Sequence, residues 1–120
     1  MANDSHESTG FRVDRSKAGG RIVLTPTGSL AGEHSRLLKE ALDEAAQGHS
    51  PEVILDCRSV HLMDSEGLET MLEAQNVLRE RGGCLKIARL NDVCTDIFVT
   101  TRLVNVFQVF QDINMAMKSL

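Results

Sequence analysis

The stretch HLMDSEGLE, residues 61–69, holds the side chains of this chain that are best placed to do chemistry. Ser65 lies between Asp64 and Glu66 and directly precedes a segment with apolar periodicity. A serine in such a place can act as a nucleophile, as a helix cap or as a phosphorylation site. Each of these uses requires different neighbours.

A nucleophilic role would require more than the serine. The hydrolase elbow has the pattern G-x-S-x-G, in which the glycines relieve a strained turn between a strand and a helix. Here Gly67 occupies the second glycine position but Met63 occupies the first, and none of His34, His49 and His61 has a spacing that makes it the required base. We therefore predict a protein that is not an enzyme, with a small serine hydrolase as the remote alternative.

Capping explains part of the motif. Either Asp64 or Ser65 can accept a hydrogen bond from a free N–H group at the start of a helix, and Glu66 and Glu69 suit the positive end of the helix dipole. Capping alone does not require Met-Asp-Ser-x-Gly-Leu as a unit.

Length and composition limit the classes of partner. The chain has 120 residues, which corresponds to one domain, and it carries a net charge of −4 with only 3% aromatic residues. Binding of single-stranded nucleic acid relies on a basic groove and stacking aromatic side chains, so a nucleic-acid partner is not indicated. Nothing in the pattern predicts a cofactor, a metal site or a small-molecule substrate.

Cysteine spacing and hydropathy indicate where the protein works. Cys57, Cys84 and Cys94 form no CxxC pair, so they predict reduced thiols rather than a disulfide framework or a zinc site. The first residues lack the basic-then-apolar pattern of a signal peptide, and no apolar run approaches the roughly 20 residues of a membrane span. We expect a cytoplasmic protein that does not insert into a membrane.

The elements that position the motif follow from apolar periodicity. FRVDRS and RIVLTPTG predict two strands joined by a glycine turn, with Pro26 indicating the end of the second strand or an edge position. Helices are predicted over GEHSRLLKEALDEAAQG and GLETMLEAQNVLRERGG, with the buried strand PEVILDC between them.

The C-terminal third continues the alternation. CLKIAR predicts a strand, NDVCTDIFVTTRL a short helix capped by Asn91 or Asp92, NVFQVF a last strand and QDINMAMKSL a final helix. This order predicts a single α/β domain over residues 11–120, a mixed β-sheet with central parallel strands and about four helices. Residues 1–10 are predicted to form a flexible N-terminal tail.

The middle of the chain resembles a known family. VILDCRSVHLMDSEGL, followed by a helix, a glycine pair and a strand, is similar to the STAS domain of bacterial anti-sigma factor antagonists, in which a strand leads into (M/V)DS-x-G(L). The similarity runs from about Val13 to the C-terminus and includes TGSL, ERGGCLKIARL and VFQVFQD. It implies a STAS-like fold.

The resemblance also implies a phosphorylation switch. In the family, the serine after the aspartate is phosphorylated by a partner that is both anti-sigma factor and serine kinase, which corresponds here to Ser65. The unmodified antagonist binds that partner and frees a sigma factor for transcription, the phosphorylated form is released, and a serine phosphatase resets it. ATP belongs to the kinase, so no cofactor is implied for this chain.

The partner surface is expected at the carboxyl ends of two strands, where α/β sheets tend to place their sites. The predicted contact residues are Met63, Asp64, Ser65, Glu66, Gly67, Gly28, Ser29, Ala31 and Glu33. For Ser29 and Glu33, a role as ordinary solvated loop residues explains the sequence equally well.

The energy of such a switch constrains where the serine lies. Moving binding from nearly complete to nearly absent needs about 5 kcal/mol, whereas one exposed charge pair supplies at most about 1 kcal/mol. We therefore expect the Ser65 hydroxyl to be dehydrated in the complex, so that a phosphate between Asp64 and Glu66 is both unsolvated and repelled.

Two departures from the family pattern leave alternatives open. Ala31 stands where an acidic residue is often found, and Glu66 stands where a small residue is common. A STAS scaffold or subunit of another assembly, of the stressosome type or in the cytoplasmic part of a lipid transporter, could use the same surface without phosphorylation.

Overall fold

The computed structural model describes residues 5–119, and within that range it contains seven strands, four α-helices and one 3₁₀ helix. The elements are β1 (Ser5–Ser8), β2 (Phe11–Ala18), β3 (Arg21–Leu30), α1 (His34–Ala45), β4 (Glu52–Asp56), β5 (Val60–Met63), α2 (Ser65–Glu80), β6 (Cys84–Ala88), α3 (Asp92–Thr100), the 3₁₀ helix (Leu103–Asn105), β7 (Gln108–Phe110) and α4 (Ile113–Lys118). The predicted α/β class with four helices is confirmed.

All strands belong to one mixed sheet with the order β1-β2-β3-β4-β6-β7, and β5 pairs with β3. The pairs β1/β2 and β2/β3 are antiparallel, whereas β3/β4, β3/β5, β4/β6 and β6/β7 are parallel. The helical connections thus follow the parallel half of the sheet, as the predicted alternation of strands and helices requires.

Strand β3 pairs with two strands along one edge. Residues 22–24 pair with β4, and Gly28–Leu30 pair with β5. The N–H of Gly28 donates to Ser59 O on this edge, so the nitrogen of Pro26, two residues earlier, points the same way and falls in the gap between β4 and β5. Of the two alternatives for Pro26, the strand end is wrong, because β3 continues to Leu30. An edge-like position fits, because the missing donor falls where the ladder is already interrupted.

The two faces of the sheet are covered unequally. Helices α1, α2 and α3 cover the larger core, which contains Phe11, Val13, Leu24, Leu30, Leu38, Leu42, Val53, Leu55, Val60, Met63, Met71, Leu78, Leu85, Ile87 and Phe98 among others. The short helix α4 covers a smaller cluster of Val23, Ile54, Ala88 and Ala116 on the opposite face.

A buried lysine holds α4 in place. Lys86 in β6 is 1% exposed, and its Nζ donates to Ala116 O and Ser119 O, both at 2.9 Å, and to Glu52 Oε2 at 3.2 Å. A buried ammonium group requires such hydrogen-bond acceptors. The last carbonyl groups of a helix receive no hydrogen bond from within it, and here Lys86 donates to two carbonyl groups at the end of α4.

The N-terminal segment differs from its prediction. Residues 5–8, predicted as part of a flexible tail, form β1 and pair with β2; residues 1–4 of that tail lie outside the described residues. His6 Nε2 also lies 2.6 Å from Glu44 Oε2 of α1. The segment SHES has no apolar residue, so its pairing rests on backbone hydrogen bonds that apolar periodicity does not detect.

Two further strands differ from expectation. VHLM forms β5, which was not predicted, and the predicted strand NVFQVF is reduced to Gln108–Phe110. The latter begins late because Arg102 adopts a positive φ of 64° after α3 and the 3₁₀ helix then occupies Leu103–Asn105. Of the two predicted caps of α3, Asn91 and Asp92, the structure has Asn91, whose side chain accepts a hydrogen bond from the N–H of Cys94.

The three cysteines are free, and Cys57 and Cys94 are buried. Burial raises the pKa of the Cys57 thiol well above its usual value and raises the pKa of the Cys94 thiol to about 11. Both thiols are therefore protonated packing groups at neutral pH. In residues 5–119 none of the helices combines the length and the apolar character needed to cross a membrane.

Candidate functional site

The site is organised by the carboxylate of Asp64, which joins two segments. Asp64 caps α2 by accepting a hydrogen bond from Gly67 N through Oδ1 at 2.9 Å, and its Oδ2 accepts from Gly32 N, also at 2.9 Å. Of the two predicted caps, the structure has Asp64 and leaves the Ser65 side chain exposed. The same carboxylate therefore attaches the start of α2 to the loop between β3 and α1.

These two hydrogen bonds change the acidity of Asp64. The N–H groups of Gly67 and Gly32 stabilise the ionised form, so they lower the pKa of the carboxyl group below its usual value. Asp64 is thus an ionised structural anchor rather than a proton donor at neutral pH.

We expect this anchor to make part of the stability depend on pH. With a folded pKa below the unfolded value of 3.8, the contribution is complete above that value and is lost as the pH falls through the folded pKa. Asp64→Asn keeps one acceptor for Gly67 but places an amide where Gly32 N needs an acceptor, so it should cost roughly 1–2 kcal/mol at pH 7. Denaturant unfolding from pH 7 to pH 3 should show the difference from the native protein shrinking below about pH 4.

The exposed Asp96 in α3 provides the matched control. Asp96→Asn should change the free energy of unfolding by less than about 0.5 kcal/mol across the same range. A constant difference between the native protein and Asp64→Asn at every pH would contradict the role of the charge.

Ser65 is the first residue of α2, and both it and Glu66 are exposed. The free N–H groups of a helix start favour negative charge, so a phosphate on Ser65 is compatible with the fold. A strained nucleophile elbow is not present here, because Asp64 is extended and Ser65 begins a regular helix. His34 contacts Ser29 O through Nδ1 at 2.9 Å and stacks on Phe11, which fixes the loop rather than serving the serine.

Three of the predicted contact residues are buried instead. Met63 is 4% exposed and belongs to the main core, and Gly28 and Gly67 are also buried. These three positions therefore offer little surface to a partner in the free domain, and their contact with one stays a prediction. Their identity is explained by packing, since β5 and the start of α2 lie directly against the end of β3.

Gly67 is required by a close approach. A Cβ atom at this position would lie 2.5 Å from Leu30 O and 2.8 Å from Leu30 Cγ, closer than real Cβ contacts allow. The glycine of the Asp-Ser-x-Gly motif thus allows α2 to begin against the last residue of β3, which keeps Ser65 beside the neighbouring loop.

Three other predicted residues belong to the end of β3 and the loop after it, which Asp64 joins to the start of α2. Ser29 and Ala31 are half-buried and Glu33 is exposed, and the Asp64–Gly32 hydrogen bond holds their loop against the start of α2. Leu62 was not predicted: it is 48% exposed, pairs in register with Ser29 and lies three residues before Ser65. We call this group the Ser65 surface, made of Ser29, Ala31, Glu33, Leu62, Ser65 and Glu66.

The sequence alone carried no clear signal for Leu62. VHLM does not alternate as a half-buried strand does, because its two central residues are exposed and its two ends are buried. The exposure of Leu62 follows from the pairing of β5 with β3, which no local pattern contains.

The sequence of this chain matches a known protein family. Residues 13–109 match the family model described as "Mlab, STAS domain". The chain belongs to the STAS domain family. No curated protein sequence matches the chain.

Solved structures agree with the STAS fold. TM1081 from Thermotoga maritima superposes with a TM-score of 0.80 at 20% identity, covering 88% of this chain and 92% of that one. An anti-sigma factor antagonist from Mycobacterium paratuberculosis gives 0.77 at 18% identity, covering 88% and 89%. The anti-sigma factor antagonist SpoIIAA in its unphosphorylated form gives 0.73 at 16% identity, covering 88% and 92%. At these identities the likeness concerns the fold, and this STAS domain shares it over most of its length.

Proposed function

We propose that this STAS domain is an anti-sigma factor antagonist that binds an anti-sigma factor with serine kinase activity and is released when Ser65 is phosphorylated. The observation that carries the proposal is the exposed Ser65 hydroxyl at the start of α2, held by Asp64 against the loop after β3. By this proposal the domain works in the cytoplasm, where the kinase has ATP and a serine phosphatase can restore the binding form.

The surroundings of Ser65 support a switch of sufficient size. Leu62, which pairs in register with Ser29 three residues before Ser65, is exposed apolar area that a partner docked on the Ser65 surface would cover, and such cover excludes water from the interface. A phosphate adds about −1.5 to −2 charge next to Glu66 and close to the ionised Asp64. Placed in a dehydrated interface, that charge is both repelled and unsolvated, which can reach the several kcal/mol that release requires.

A direct test is phosphorylation in a purified system. Incubation with the host's anti-sigma factor kinases and ATP should add one phosphate, located at Ser65 by mass spectrometry of peptides, and Ser65→Ala should acquire none. Phosphate found at another residue, or none with every such kinase of the host, would remove the switch from the proposal.

Leu62 tests the extent of the binding surface. Leu62→Asp should weaken binding of the unmodified domain to its kinase partner at least about tenfold, because a carboxylate would be desolvated in the interface. The fold should persist, since the side chain is already 48% exposed. Calorimetric titration measures the affinity.

Met115 in α4, with a similar exposure of 47%, gives the control. Met115→Asp carries the same new charge away from the Ser65 surface and should bind as the native domain does. An equal loss in both variants would show that charge alone, and not position, weakens the complex.

A second candidate function is a subunit of another assembly that docks through the Ser65 surface without phosphorylation. It is favoured by Ala31, which leaves the end of β3 without the carboxylate often found there in the family, and by the exposed Glu66 beside the serine. Stable binding to a partner that lacks kinase activity, unchanged by Ser65→Ala, would support this candidate over the first.

A further inference from the structure

A cavity lies away from the Ser65 surface. It has a volume of about 290 Å³ and lies where β6 and β7 end, between α3 and the 3₁₀ helix. Five of its eight lining residues are apolar: Leu90, Phe98, Val104, Val109 and Phe110. Parallel sheets characteristically place ligands outside the carboxyl ends of their strands, and none of the lining residues belongs to the Ser65 surface.

The mouth of this cavity is mixed in character. Of its exposed lining residues, Val104 is apolar and 40% exposed, whereas Thr95 and Gln111 are polar. Phe98, by contrast, is fully buried on the inner wall. An apolar interior with a few polar groups at its opening suits a mostly apolar ligand better than it suits water.

The polar side of the cavity is rigidly built around Arg89. This residue has a positive φ of 56°, a conformation uncommon for a side chain of this kind. It is held there by its backbone N–H, which donates to Phe110 O at 3.0 Å, and by its guanidinium group, which donates from Nε and Nη2 to the two carboxylate oxygens of the buried Asp56. Unusual backbone conformations that several contacts enforce are concentrated at functional positions.

The charge balance at Arg89 selects the type of ligand. The pair with Asp56 uses two of the five N–H donors of the guanidinium group and matches its charge, and Asp112 is also near enough to attract it. The remaining donors can serve a neutral acceptor, whereas a carboxylate would meet two acidic side chains nearby. Thr95 and Gln111 add further hydrogen-bonding groups to the lining.

Size gives the last constraint. An apolar cavity of about 150 Å³ can take up benzene, so the present volume suits roughly two such rings. We propose that this cavity binds an uncharged, mostly apolar small molecule of about the size of a fused two-ring aromatic, with one hydroxyl or carbonyl oxygen directed at Arg89. This binding is independent of the function proposed for Ser65.

The test uses 2-naphthol as the probe and the full chain labelled with ¹⁵N. Titration should give saturable shifts of the amide signals of Leu90, Phe98 and Val109, with a dissociation constant below the millimolar range. The anion 2-naphthoate, of similar shape, should bind at least several-fold more weakly. Tighter binding of the anion would overturn the proposed ligand class, and shifts confined to other parts of the chain would overturn the site.

A pair of variants separates filling of the cavity from surface effects. Val104→Phe places a larger side chain in the cavity and should weaken 2-naphthol binding at least tenfold. Val99→Phe makes the same change at a 58% exposed position of α3 that does not line the cavity and should leave the affinity unchanged. Equal effects of the two variants, in either direction, would contradict the assignment.

Discussion

Ser65→Ala is expected to bind the anti-sigma factor kinase tightly whether or not ATP is present, whereas Ser65→Asp is expected to bind at least about 100-fold more weakly, a difference of roughly 2.7 kcal/mol. Alanine removes the hydroxyl group that would accept the phosphate and leaves the exposed side chain of Leu62 unchanged. Aspartate adds a charge beside Glu66 that must be desolvated on docking. Phosphoserine, with about twice that charge, should exceed the aspartate effect.

Calorimetry of the purified components measures these affinities, and circular dichroism checks the fold. The helix start tolerates negative charge, so Ser65→Asp should unfold at nearly the native temperature. Ser16→Asp in β2 introduces the same charge at another exposed serine and should bind normally. Equal affinity of Ser65→Ala and Ser65→Asp would refute the switch, and the second candidate function would then explain the surface better.

Gly67→Ala is expected to destabilise the domain by about 2 kcal/mol, although alanine is the better helix former by about 1 kcal/mol. The added Cβ would meet the carbonyl oxygen and side chain of Leu30 at distances that only a shift of α2 or β3 can relieve. Overpacking of this kind costs typically 1–3 kcal/mol, and here the neighbour is backbone, which gives way less readily than a side chain. Denaturant unfolding of the purified domain measures the change.

A control in the same helix separates packing from helix propensity. Glu73 is exposed in the middle of α2, so Glu73→Ala should leave the free energy of unfolding within about 0.5 kcal/mol of native. If Gly67→Ala instead stabilised the domain, as propensity alone predicts, the close approach of α2 to β3 would not be a constraint. A shifted helix start should also weaken partner binding, since Ser65 would move with it.

The fold was predictable where apolar periodicity is strong. Helix α1, with buried Leu38, Ala41, Leu42 and Ala45, and the continuously buried strand β4 follow their patterns directly. Strands β1 and β5 were missed for opposite reasons. The first is polar and depends on backbone pairing with β2, and the second is four residues long with an exposed apolar residue inside it. Neither pattern can be read without knowing the neighbouring strand.

The site was predictable in position but only partly in detail. Polar residues before an apolar-periodic segment indicated a capped helix, and the structure has Asp64 as its cap. The second bond of Asp64, to Gly32, joins residues 32 positions apart, so no local pattern contains it. The burial of Met63 and the contact of Gly67 with Leu30 likewise depend on how β5 and α2 pack against β3. Tertiary contacts of this kind are invisible to spacing along the chain.

The buried Lys86 has a consequence for the order in which the domain forms during synthesis. Its acceptors Ala116 and Ser119 are translated 30 and 33 residues after it, which at about 5–20 residues per second is a delay on the order of seconds. Until then the ammonium group has only Glu52 among these partners, and the apolar patch around Ile54 lacks its cover. Any state in which the sheet has formed before α4 docks leaves this side uncovered, and uncovered apolar surface of this kind favours self-association and chaperone binding.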